Sequence, residues 1–241
     1  FADEFEGQEI SLNNSRFLKL LNKTKISISN DDTRHYLNGI FLHLTQQKDK
    51  NFLSGVATDS HRLSFSSVEL GKQINFSSII LPRKTVFQLC NLLSESPDKL
   101  GVKISENKIK FILGKISLIS KVIDGKFPDY QKVIPKENDK VLSVSLSEFI
   151  NSVERVVSVS IDRKEGVKLE INKDKLKLSV NSTNSGDGNE IIPVKYNNEE
   201  IAIGFNSKYL LDIASVIENK DLQFNFKNST SPVLISDNSD K

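Results

Sequence analysis

Ile79-Ile80-Leu81-Pro82 leads into Val86, Leu89, Cys90 and Leu93 at i, i+3, i+4 and i+7, and then into Leu100-Gly101-Val102-Lys103-Ile104 and Ile109-Lys110-Phe111-Ile112. Apolar runs and alternation mark strands, and the 3.6-residue spacing marks an amphipathic helix, so the stretch reads strand, helix, strand, strand. The same order returns in Ile201-Ala202-Ile203-Gly204-Phe205, then Leu210, Ile213, Ala214 and Ile217, then Leu222-Gln223-Phe224-Asn225-Phe226 and Pro232-Val233-Leu234-Ile235. Upstream of each copy lies a second matching pair. Ile10-Ser11-Leu12 precedes a helical pattern on Phe17, Leu20, Leu21 and Thr24, and Val144-Ser145-Leu146 precedes one on Phe149, Val153, Val156 and Val157. A Gly-led strand follows each, Gly39-Ile40-Phe41-Leu42 and Gly166-Val167-Lys168-Leu169-Glu170-Ile171. A period of more than a hundred residues means duplicated domains, and each copy carries two helices and several antiparallel strands. The fold class is therefore α+β, two helices packed on antiparallel sheets, repeated in tandem.

The length of 241 residues suits two domains. Phe127-Pro128-Asp129-Tyr130 and Ile134-Pro135-Lys136-Glu137-Asn138-Asp139-Lys140 form a polar, Pro-marked joint between the copies. The expected division is 8–131 and 132–241, with 1–7 a linker from a missing upstream domain, since Phe1 opens a loop-like stretch and the chain contains no Met. Asn206 or Ser207, and less clearly Ser147, are the expected helix caps.

Composition excludes several classes. No apolar run approaches the roughly 20 residues of a membrane helix, and Phe1-Ala2-Asp3-Glu4 lacks the basic start of a signal peptide. One cysteine, Cys90, rules out an internal disulfide framework and, with three histidines, a repeated Cys-pair zinc site, which places the chain in the cytoplasm. Cys90 lies on an apolar helical stripe, where burial raises its pKa and makes it inert. Lys and Arg total 33 against 31 Asp and Glu, so the net charge of +2 gives no global field and any DNA contact must be local.

Local charge does occur. Arg16, Lys19 and Lys23 at i, i+3 and i+7 put three cations on one stripe opposite Phe17 and Leu21. A stripe of this kind is ordinarily a solvated face; its functional reading is a surface that touches phosphates. Arg83 and Lys84 open a helix, where cations oppose the dipole and gain nothing locally, which favours function. The second copy is mixed, with Glu148, Ser152 and Arg155 on one face and Lys208, Asp212 and Ser215 on another.

Asp59-Ser60-His61 holds all three residue types of a hydrolase triad. Read as a strand, it points Asp59 and His61 one way and Ser60 the other, which breaks the nucleophile, base and orienter chain. His35 and His43 are too isolated to suggest a metal site, and no phosphate-binding glycine loop occurs.

Five motifs occur in order: Arg34-His35-Tyr36-Leu37-Asn38-Gly39, Ala57-Thr58-Asp59-Ser60-His61-Arg62-Leu63, Leu81-Pro82-Arg83-Lys84, Asp124-Gly125-Lys126-Phe127-Pro128-Asp129-Tyr130 and Ile203-Gly204-Phe205-Asn206. Together they closely resemble the beta subunit of bacterial DNA polymerase III, the sliding clamp family, over nearly the whole chain and across the second and third of that family's three domains. The resemblance implies the DNA clamp fold and a head-to-tail homodimer of full-length chains, with helices lining a pore around duplex DNA and no catalysis. It implies as partners the polymerase III catalytic subunit, the clamp loader and repair polymerases, which dock a short peptide. The peptide-binding residues carried over are Leu37, Thr58, Ser60, His61, Arg62, Leu63, Pro128, Lys132, Val133, Asn206, Tyr209, Pro232 and Val233. Leu37, Leu63 and Val133 would receive apolar anchors, and His61, Arg62 and Asn206 would fix backbone or polar groups. Singly, each apolar member reads as plain core packing. Ser60 stands where a Gly is common, Lys132 where an Arg is frequent, and the family's closing Met-Pro-Met strand does not follow Lys241. The DNA-contacting set is Arg16, Lys19, Lys23, Arg83 and Lys84. The third-domain side of the dimer contact falls on Ser158, Val159 and Ile161, in the segment Ser158-Val159-Ser160-Ile161. No cofactor or metal is implied.

The expected function is therefore a non-enzymatic processivity factor, in which topology holds DNA so that attraction need only be weak and sequence-blind. With the first domain missing, the chain is expected not to close a ring. The alternative is a sequence-independent DNA-binding or protein-docking module without ring closure. An enzyme using Asp59 and His61, and a sequence-specific DNA reader, are the rivals; the second would need a recognition element, and no helix-turn-helix or zinc finger pattern is present.

Overall fold

In the computed structural model, which describes residues 7–71, 77–95, 99–159, 166–182 and 186–237, the chain divides between Pro128 and Asp129 into two units. The first unit begins with β1 (Gln8–Leu12) and α1 (Asn14–Lys25), followed by a short 3₁₀ helix at Asp32–Leu37. Strands β2 (Gly39–Gln47), β3 (Lys50–Thr58), β4 (Leu63–Leu70) and β5 (Ile79–Pro82) lead to α2 (Arg83–Ser94). β6 (Leu100–Ile104), β7 (Lys108–Leu113) and β8 (Ile116–Lys121) complete it. Two antiparallel sheets result, ordered β4-β3-β2-β5 and β1-β6-β7-β8.

The second unit holds β9 (Lys140–Ser145), α3 (Leu146–Val157), β10 (Gly166–Asn172), β11 (Lys175–Ser182) and β12 (Gly186–Pro193). β13 (Ile201–Asn206), α4 (Ser207–Ala214), β14 (Asp221–Phe226) and β15 (Leu234–Ser236) follow. Its sheets run β12-β11-β10-β13 and β15-β14-β9. β12-β11-β10-β13 repeats β4-β3-β2-β5 strand for strand, and β9-β14-β15 repeats β1-β6-β7 with no counterpart of β8 among the described residues, so the sequence repeat is a repeat of topology.

The helices form where apolar spacing and caps coincide. On α1, Phe17, Leu20, Leu21 and Thr24 are buried, and the Thr24 hydroxyl is satisfied by the Leu20 carbonyl at 2.8 Å. The Asn13 side chain accepts from the Arg16 amide at 3.0 Å and starts the helix. α2 has no side-chain cap after Pro82; instead the Arg83 amide donates to the Asn38 carbonyl at 2.9 Å. That junction demands Gly39, because a Cβ there would lie 2.2 Å from the Leu81 carbonyl oxygen. For α3 the cap is Ser145, whose hydroxyl accepts from the Glu148 amide, and not Ser147, which already lies inside the helix. α4 is capped by Asn206 and ends at Ala214, so Ile217 follows the helix and packs on the core only in part.

Each unit has its own apolar core. In the first, Phe17 of α1 meets Phe111 of β7 at a ring separation of 6.3 Å. In the second, Phe149 packs edge-on to Phe224 at 5.3 Å, and Phe224 stacks on Phe226 at 5.8 Å. Cys90 is buried on the α2 stripe, and burial raises its thiol pKa, as its position in the apolar pattern predicts.

His43 is less isolated than the sequence suggests. Its ring stacks on Phe41 at 4.7 Å, and Phe41 stacks in turn on Phe127 at 4.9 Å. Burial holds the His43 pKa below its ordinary 6.5. The unfolded chain therefore binds the proton more readily, and stability present above the unfolded pKa is lost as pH falls through the folded one. Melting temperature should drop as pH falls below the ordinary histidine value of about 6.5, and His43→Gln should flatten that part of the profile. Parallel wild-type and variant profiles would contradict the assignment.

Candidate functional site

The hairpin connecting β3 to β4 is built by its own side chains. The Thr58 hydroxyl donates to the Arg62 carbonyl at 2.7 Å and accepts from the Ser60 amide at 3.1 Å. One Asp59 carboxylate oxygen accepts from the amides of His61 and Arg62, both at 3.0 Å, and the other pairs with the Arg62 guanidinium at 3.1 Å. Residues 59–62 therefore form a turn and not the strand expected of Asp59-Ser60-His61, because side-chain acceptors replace the ladder. Both Asp59 oxygens are thus engaged within the turn, by Arg62 and two amides.

Facing this turn is the 3₁₀ segment. Asp31 caps it, accepting from the Thr33 amide at 2.9 Å and the Thr33 hydroxyl at 2.6 Å and pairing with Arg34 at 2.9 Å. These bonds, those from Thr33 foremost, lower the Asp31 pKa to about 2. Arg34 also donates to the Ser60 hydroxyl. Leu37 ends the segment with only 2% of its surface exposed, so it supports the surface from beneath and does not form an open wall. Leu63 and Arg62 are half-buried, and Ser60 and His61 are exposed.

The basic residues lie on the two helices of the first unit, which pack on each other. Arg16, Arg83 and Lys84 are exposed, and Lys19 and Lys23 are half-buried. Among the described residues no carboxylate pairs with Arg16, Arg83 or Lys84. In the last turn of α1, Lys25 brings its ammonium 5.7 Å from the centre of the Phe87 ring, and Arg83 sits 5.5 Å from the same ring. Phe87 is 41% exposed. Lys25 and Phe87 escaped the sequence reading because neither belongs to the i, i+3, i+7 stripe; the Arg83 to Phe87 spacing of four on one helix was the available signal. In the second unit Arg155 is held by Glu190 of β12 and by Ser152, which removes the cation from the α3 surface charge.

The profile of the DNA polymerase III beta subunit central domain matches residues 11–129, and that of its C-terminal domain matches 131–241. The chain belongs to the DNA polymerase III beta subunit family. It is 34% identical to the beta sliding clamp of Caulobacter vibrioides over 229 residues, 95% of this chain and 62% of that protein. It is 32% identical to the beta sliding clamp of Escherichia coli K12 over 236 residues, 98% of this chain and 63% of that protein. Among solved structures, the beta sliding clamp of Caulobacter crescentus superposes with a TM-score of 0.95 at 33% identity, covering 98% of this chain and 63% of that one. A DNA polymerase III subunit beta sliding clamp from Bartonella birtlesii bound to griselimycin gives 0.93 at 40% identity, with 100% and 66% covered. The chain thus spans a little under two thirds of the length of these beta subunits.

For a beta subunit, the second-unit members of the expected peptide set are distributed as follows. Asn206 commits its side-chain oxygen to capping α4, accepting from the amides of Lys208 at 3.0 Å and Tyr209 at 3.4 Å, so only its amide group can donate to a ligand. Tyr209 is half-buried one turn into that helix. Val133 is 61% exposed, and Lys132 pairs with Asp129 at 2.9 Å. The Pro232 carbonyl accepts from Asn138 at 2.9 Å, and Val233 packs partly on the second core. In the first unit Pro128 is exposed after the buried Phe127. Of the expected dimer residues, Ser158 closes α3, its hydroxyl donating to the Arg155 carbonyl at 2.7 Å. Val159 packs partly on the second core. Ile161 and Ser160, like Phe1-Ala2-Asp3-Glu4 and Lys241, lie outside the described residues.

Proposed function

We propose that the chain acts as part of a DNA polymerase processivity factor, a non-enzymatic cytoplasmic sliding clamp that holds duplex DNA by topology and tethers the polymerase III catalytic subunit, the clamp loader and repair polymerases through short peptides. The observation that supports it best is the topological repeat, two units of matching strand order whose two family profiles occur in the family's own sequence. Peptide docking is assigned to the β3–β4 turn with its neighbours Leu37 and Leu63, and to Pro128, Lys132, Val133, Asn206, Tyr209, Pro232 and Val233. Ser158, Val159 and Ile161 are assigned to the homodimer contact of full-length chains. Arg16, Arg83 and Lys84, which no described carboxylate pairs, suit sequence-blind phosphate contact together with Lys19, Lys23 and Lys25, since point charges on helices carry no base-edge pattern.

The DNA assignment has a direct test. Replacing Arg16, Lys19, Lys23, Arg83 and Lys84 together by Gln should weaken binding to two unrelated duplexes equally. The slope of log affinity against log salt should fall by roughly 0.9 for every phosphate that the variant no longer neutralises. Fluorescence polarisation at several salt concentrations measures both. A strong preference for one duplex, or an unchanged slope, would remove these residues from the DNA surface.

A further inference from the structure

We propose that Arg34 and Ser60 are positioning residues, a side-chain bridge that fixes the 3₁₀ segment carrying Leu37 against the turn carrying His61, Arg62 and Leu63. The proposal rests on the peptide-docking reading and deepens it. Ser60 has φ of 78°, in the left-handed region that glycine adopts freely and serine does not. The chain therefore carries an unfavourable backbone at the residue whose hydroxyl makes a long-range contact. The turn does not need that hydroxyl for its own closure, which is supplied by Thr58, Asp59 and Arg62.

What the hydroxyl contacts is Arg34, 26 residues away in sequence. The guanidinium uses its Nε on Asp31, the cap of the 3₁₀ segment, and an Nη on Ser60, so one planar fork joins the start of one element to the tip of another. Arg34 itself departs from helical geometry, at φ −114° and ψ 57°, a kink within the segment. Leu37 follows three residues after Arg34, and His61-Arg62-Leu63 follow Ser60 directly. A bridge between the two elements therefore holds the support that Leu37 provides from beneath against the His61-Arg62-Leu63 surface a peptide would meet, and lowers the ordering cost of binding.

The test separates positioning from stability by giving them opposite signs. Ser60→Gly relieves the backbone and removes the acceptor, so melting temperature should hold or rise while affinity for griselimycin, measured by calorimetry on the whole chain, falls about fivefold. Ser60→Asn keeps a side-chain acceptor and tolerates positive φ, and should recover most of that loss. Arg34→Lys, which loses the fork, should weaken binding alone but add little on top of Ser60→Gly. Wild-type affinity in Ser60→Gly, or equal additive losses in the double variant, would overturn the bridge. A wild-type chain that does not bind griselimycin would overturn the docking reading and the positioning role with it. Amide exchange at His61 and Arg62, faster in Ser60→Gly than in wild type, reports the bridge without ligand, and equal rates would refute it.

Discussion

Leu63→Asp should leave the first unit folded and remove measurable binding of a labelled short peptide with an apolar end. Leu63 is half-buried at the start of β4, opposite Thr58 at the closing pair of the hairpin, so a carboxylate there can turn to water in the free protein. An apolar peptide group seated against it would strip that water and offer no partner. The unpaired charge should cost at least ~2–3 kcal/mol, about a hundredfold in affinity, while the melting temperature moves little. Fluorescence anisotropy with the labelled peptide measures it. Binding within about threefold of wild type would place the peptide elsewhere.

The largest stability effect should come from Phe224→Ala. The ring is fully buried, packs edge-on with Phe149 and stacks on Phe226, so truncation removes two aromatic neighbours' packing and leaves a cavity that three fixed elements, β9, β14 and α3, cannot close. A loss of about 4 kcal/mol is expected. Hydrogen exchange of the β9 and β14 amides, whose ladder runs from Asp221↔Ser145 to Phe226↔Lys140, is the sensitive readout. A cost below about 1 kcal/mol would mean that the stack contributes little to the second core.

The elements most legible in the sequence were those whose physics is local. Phe17, Leu20 and Leu21, or Phe149, Val153 and Val156, fall on one helical face by spacing alone, and all are buried. Repetition of that pattern sufficed to anticipate two units, each with two helices and antiparallel strands, while the order of the strands within each sheet came from the structure. Residues 59–62 were misread because Asp-Ser-His-Arg has no periodicity of its own; what bends the chain is side-chain capture of amides by Thr58 and Asp59, which depends on geometry and not on hydropathy. Leu37 carried the same ambiguity in reverse. An apolar residue beside a polar loop can be wall or foundation, and only its burial decides. Asn206 was anticipated both as cap and as ligand group, and the cap takes its oxygen. The Lys25, Phe87 and Arg83 cluster needed two helices to be packed before it existed.

Whether the surface around residues 58–63 docks a ligand is read out by adding griselimycin to the isotope-labelled chain and following amide shifts. Saturable shifts are expected, largest at Leu37, His61, Arg62 and Leu63 and small at Arg16, Lys84 and the β6–β8 strands. Saturable shifts centred on any other face, with residues 58–63 unmoved, would contradict it.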